Sequence, residues 1–142
     1  MELLRDLFGS VLVAEEVKAE VEAGGGAAAG ADMFSTTPWL QVKSLSHQVD
    51  PWLTSMLDQG EAATISLANQ VSASLVLMDE RKGRNIARKV YGIAVIGTGR
   101  LLVEAKRAAL IRNVRPALEQ MRASGYWLAD NIVAEILRQA GE

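Results

Sequence analysis

The 142 residues are enough for one domain with a real core, and 49% hydrophobic against 23% charged residues describes a globular chain. A net charge of −2 gives no global attraction for nucleic acid, so such binding needs a local basic patch or a metal to offset phosphate repulsion. The absence of cysteine excludes disulfides, thiolate nucleophiles and soft-metal sites, and the single His47 excludes an imidazole-rich zinc site, leaving oxygen ligands for any metal.

Residues 2–8 read as a helix with Leu3, Leu4, Leu7 and Phe8 on a shared face, stopped by Gly9. A short apolar strand is expected at 11–13. Residues 15–22 then suggest a helix carrying Val17 and Val21 four apart, with Glu16 and Glu20 on a neighbouring stripe. The run GGGAAAG at 24–30 reads as a flexible loop, because glycine-rich sequence loses much entropy on ordering. Trp39, Leu40, Val42 and Leu45 suggest a strand, and Pro51 opens a helical turn leading to Leu57. A helix over 58–71, a buried strand over 74–78, a helix over 81–90 and a buried strand over 93–96 follow, the last introduced by Gly92 and closed by the GTG turn. Strand and helix alternate, which predicts an α/β fold with a parallel sheet. The remainder is helical over 100–109, 114–123 and 129–139, without internal repeats. No apolar run approaches a membrane span and MELLRDLF does not resemble a leader, so a cytoplasmic protein is expected.

Two carboxylates bound the central helix–strand unit. Asp79 follows the apolar run Leu75–Met78, at the carboxyl end of a strand, where open α/β sheets gather their ligands; its ordinary reading is a turn residue. Glu61 has an ordinary reading too, since Asp58-Gln59-Gly60-Glu61 matches a capping box. Glu20 sits with Glu15, Glu16 and Glu22 on what is otherwise a solvated face. Converging acids without His or Cys suit a hard cation such as magnesium or manganese, which can hold a water for attack on a phosphodiester. Arg81, Lys82, Arg84 and Arg88 supply the local basic patch next to Asp79, with the three arginines on one helical face; a solvated stripe paired with nearby Glu is the alternative. Trp39, Trp52, Trp127, Tyr91 and Tyr126 are candidates for base stacking, although scattered aromatics more often serve a core or an interface.

The segment LDQGEAATISLANQVSASLVLMDERKGRNIARKVYGIAVIGTGRLLVEAKRAALI, followed by SGYWLADNIVAEIL, resembles a bacterial and archaeal branch of PIN-domain proteins. The GEA step, the strand ending in MDERKGR, the GTG turn and the AK-containing helix carry the resemblance in that order, and residues 8–21 resemble the segment leading to the second acidic position. The resemblance implies a three-layer α/β fold in a single domain over 1–142. It also implies a magnesium- or manganese-dependent ribonuclease, commonly the toxin of a toxin–antitoxin pair and commonly a homodimer, with RNA and a small antitoxin protein as partners. Position by position it places Glu20, Glu61 and Asp79 as catalytic metal ligands, with Glu80 an adjacent candidate.

One departure stands out. Family members open with a buried central strand ending in Asp, whereas Met1 falls in the helix that should follow it, so the first acid and that strand are expected to be missing. The loss would leave two neighbouring strands with unpaired backbone groups. An upstream start, a partner or swapped segment filling the gap, and an inactive remnant each account for it, and the first is the expectation. The alternative function is therefore a catalytically inactive PIN-like module that binds nucleic acid or a small antitoxin partner.

Overall fold

The computed structural model describes residues 2–24 and 33–142. They form two compact units, Met1–Ile96 and Gly97–Glu142. Of the expected 24–30 loop, Gly24 closes the second helix, its N–H reaching the Glu20 carbonyl at 2.9 Å, and the rest lies outside the described residues.

The first unit opens with helix α1 (Glu2–Phe8), ended where Gly9 takes a φ of 77°, a left-handed conformation that suits glycine. Strand β1 (Val11–Ala14) runs directly into α2 (Glu15–Ala23). After the short α3 (Met33–Thr36), which the sequence pattern did not suggest, β2 (Leu40–Lys43) pairs parallel with β1, from Val11↔Leu40 to Ala14↔Lys43. Helix α4 (Pro51–Met56) starts on Asp50, whose side chain accepts the Trp52 N–H, with Pro51 where a missing amide costs nothing. Helix α5 (Gln59–Gln70), strand β3 (Val76–Leu77), helix α6 (Arg81–Lys89) and strand β4 (Val95–Ile96) follow, β3 pairing parallel with β4.

Helix α5 organises this unit because its small and apolar residues Gly60, Ala62, Ala63, Ile65, Leu67 and Ala68 are buried on more than one side. Ala63 and Leu67 pack against Ala14 of β1, with Val17 and Leu45 alongside. Ala62, Ile65 and Ala68 pack in the larger core with Leu53, Leu57, Val76, Met78, Ile86, Ala87 and Ile93. The alanines let backbones approach closely, and burying Ile65 alone is worth about 1.5–3 kcal/mol. One helix thus supports both strand pairs. Among the described residues the strands form two separate two-stranded parallel sheets, β1 with β2 and β3 with β4. The strands over 74–78 and 93–96 are shorter than the sequence suggested, and β3 is not buried on both faces. Val76 and Met78 point into the core, while Leu75 and Leu77 are 36% and 40% exposed. Strict alternation sends these leucines to the face away from the α5 core.

The second unit contains α7 (Thr98–Arg107), α8 (Arg115–Ala123) and α9 (Asp130–Gln139), burying Leu101, Leu102, Val103, Ala105, Leu118, Ile136 and Leu137. Gly99 lets α9 close on α7, since a Cβ there would lie 2.8 Å from Ile136 Cγ1. The Glu142 carboxylate accepts from Val114 N–H at 2.6 Å and from Lys106 Nζ at 3.0 Å, tying the last residue to the start of α8 and to α7. Among the described residues no helix is long and apolar enough to cross a membrane.

Candidate functional site

The acids gather at the first turns of α5 and α6. Helix α2 packs on α5, and from it Glu20 reaches across to accept the Gly60 N–H at 2.8 Å. Gly60 permits this approach, because a Cβ at that position would lie 2.9 Å from Glu20 Cδ. Asp58 caps the same helix, accepting the Glu61 N–H at 2.8 Å, as the capping-box reading required. Two orphan amides at the positive end of α5 are therefore each answered by a carboxylate.

Glu61 stands in the most strained electrostatic position of the group. Burial pushes its carboxyl above the usual range, the charges of Asp58 and Glu80 push it further, and a hydrogen bond between the Asp58 and Glu61 side chains favours its protonated form. On the α6 side a Cβ at Gly83 would lie 3.7 Å from Glu61 Oε1, so small residues bring the two helix starts together. Glu80 caps α6 by accepting the Gly83 N–H at 2.8 Å. The Gly83 and Lys82 backbone N–H groups, followed by the charges of Lys82 and Arg84, hold its carboxyl below the usual range. Asp79 lies exposed between β3 and α6, one residue before that cap.

Glu20 and Glu61 thus meet the same turn of α5, and Glu80 adds a third charge from α6. Among the described residues, however, no group of three or more His, Asp or Glu is arranged to hold a metal ion, so Glu20, Glu61 and Asp79 do not form a closed three-ligand cage. Glu20 is turned onto the Gly60 amide. Donor chemistry nevertheless fits a hard divalent cation: magnesium is often held by one or two carboxylates plus water and substrate oxygens, and Glu61 supplies such a carboxylate where Asp58 and Glu80 add negative charge. A cation would also relieve the like-charge crowding at Glu61.

The basic residues divide. Arg81 and Lys82 are exposed at the start of α6, and Arg84 is half-buried, its Nε buried without a hydrogen-bond partner among the described residues. Arg88, expected on the same nucleic-acid face, donates from Nη2 to the Val95 carbonyl at 2.9 Å and braces α6 against β4. Sequence reasoning treated Asp58 purely as a cap. Its closeness in sequence to Glu61 was the available signal for its second part, as a neighbouring charge.

Nothing among curated proteins and nothing among solved structures matches the chain. A family model described as PIN domain matches residues 1–142, and its α/β character agrees with the parallel strand pairs and flanking helices. The chain belongs to the PIN-domain family, a nuclease-type fold.

Proposed function

We propose that this protein is a PIN-type ribonuclease that hydrolyses RNA phosphodiester bonds with magnesium or manganese. The observation that carries the reading is the crowding of Glu61 by Asp58 and Glu80 at the meeting of two helix starts, beside the cations of α6. A bound cation would supply charge neutralisation at the phosphoryl oxygens and an activated water. Glu61 and Asp79, with Glu20 positioned through Gly60, would hold it, while Asp58 and Glu80 set the local charge. Arg81, Lys82 and Arg84 would seat the RNA backbone. The same reading makes residues 1–142 a single PIN-like domain and the protein a cytoplasmic toxin, with a small antitoxin protein as partner and a homodimer as its assembly.

The test is RNA cleavage with magnesium or manganese by the wild type and by a variant carrying Asp79→Asn and Glu61→Gln. The expected result is metal-dependent cleavage that the double variant loses. Cleavage that survives both substitutions discards this site.

A second reading, a non-catalytic PIN-like binding module, draws on one observation: no three acids close around a metal position among the described residues. It predicts RNA binding without cleavage, weakened by salt and by Arg84→Ala. Metal-dependent cleavage by the wild type would eliminate it.

A further inference from the structure

We infer that Trp127, presented on the turn between α8 and α9, is a stacking platform for a base of single-stranded nucleic acid. Its indole is 83% exposed, against 43% for Trp52, the other tryptophan among the exposed large hydrophobics. Leaving that much aromatic surface in water is unfavourable, and here the turn is held so that it stays there. Arg122, before the indole in sequence, donates from Nη2 to the Leu128 carbonyl and to Asp130 Oδ1 after it, both at 2.7 Å. The Tyr126 N–H reaches the Met121 carbonyl at 3.0 Å, and Gly125 takes the left-handed φ of 89° that the turn requires. A rigid, pre-positioned aromatic loses little entropy when it meets a partner.

Charge and area favour a nucleic acid over a protein as that partner. The unit from Gly97 to Glu142 carries seven Lys and Arg against five Asp and Glu, a net of +2, whereas residues 1–96 carry eight against twelve, a net of −4. Such asymmetry between parts of one chain is a signature of nucleic-acid contact. Arg112 and Arg115 are exposed and have no ion pair among the described residues, and they precede Trp127 by the length of α8, about 14 Å. Phosphates can be met there while a base stacks on the indole. The exposed parts of Tyr126, Trp127 and Ile132 offer only about 400 Å² in all, half of what one partner contributes to a standard protein interface. Ser124, Gly125, Asp130 and Asn131 surround them with exposed polar groups. A single base fits this isolated aromatic surface.

The choice of nucleic acid as partner rests on the proposed function, so the experiment separates the two. Binding of a short fluorescein-labelled oligouridylate is measured by anisotropy on the full chain in EDTA, where cleavage cannot interfere. Trp127→Ala should weaken it about tenfold, and Trp127→Phe, which keeps a π face, should stay within about threefold. A blunt RNA duplex, whose bases are already stacked, should bind wild type and Trp127→Ala alike. The inference is overturned if the wild type fails to bind the oligonucleotide or if Trp127→Ala binds it equally well. It is also overturned if Trp127→Ala instead splits an oligomer, in sedimentation, at unchanged oligonucleotide affinity, which assigns the surface to a protein. Trp127-dependent binding without cleavage in magnesium or manganese defeats the nuclease reading alone.

Discussion

Glycine at position 60 matters for what it lacks. A methyl group there would lie 3.0 Å from Glu20 Oε1 as well as close to its Cδ, so Glu20 must move, and as the end of a flexible side chain it can do so cheaply. Alanine is a better helix former than glycine by about 0.8–1 kcal/mol. Gly60→Ala is therefore expected to leave the thermal midpoint unchanged or slightly raised, while displacing Glu20 from the first turn of α5. If Glu20 takes part in the reaction, cleavage of RNA should fall by at least about tenfold, since misplacement by about 1 Å is enough to do this. Unchanged cleavage in a variant whose Glu20 has demonstrably moved would remove Glu20 from the site. The single residues differed in how legible they were. Glu61 and Asp79 stand out as candidates because capping boxes and strand ends have local signatures, whereas Glu20 is a candidate only through the resemblance. The Glu20–Gly60 bond, by contrast, joins residues forty positions apart, and no spacing rule reaches that far.

Elements with strong local signals were read well. Helices α5 and α6 carry side-chain caps at Asp58 and Glu80, and α9 has a regular apolar stripe, so their expected spans agree with the structure to within a residue or two. The four-residue α3 lacks any such repeat, and the short ladders of β3 and β4 are set by pairing across the chain, not by their apolar runs. Arg88 belongs to this scale: beside its expected place on a basic face, its guanidinium links α6 to β4. Arg88→Met should lower stability by about 0.5–1.5 kcal/mol in urea titration, the usual worth of one such bond at an exposed position. No stability loss would show that the bond to the Val95 carbonyl does not brace the fold. In the second unit the Glu142 carboxyl is held below its ordinary value of 4.5, first by the Val114 N–H and then by Lys106 and the Arg115 N–H. A depressed carboxyl stabilises the fold above the unfolded value, and that contribution disappears as pH falls through the folded one. The thermal midpoint of Glu142→Gln should therefore lie below wild type at neutral pH, with the gap closing below about pH 4.5 as the wild type protonates. A gap independent of pH would show that packing, not charge, carries the effect.

At the scale of the whole chain, the family match runs from residue 1 to 142, while the described residues form two compact units. Composition alone could not reveal this division, because length and apolar content are satisfied equally by one core or two. Whether the units unfold as one body follows from how much of their stability is shared, and the tryptophans allow a direct measurement. Trp39 and Trp52 lie in the first unit and Trp127 in the second, so in a Trp127→Phe background tryptophan emission reports on the first unit alone. Glu142→Gln perturbs only contacts of the second, those to Lys106, Val114 and Arg115. In a single cooperative domain every probe follows one transition, and weakening any part shifts them all. The single-domain reading thus predicts that, at neutral pH, adding Glu142→Gln lowers the midpoint seen by Trp39 and Trp52 as much as the midpoint seen by far-ultraviolet circular dichroism. If the emission midpoint stays fixed while the helical signal melts earlier, the units are separate domains, and the division between Ile96 and Gly97 is thermodynamic as well as geometric.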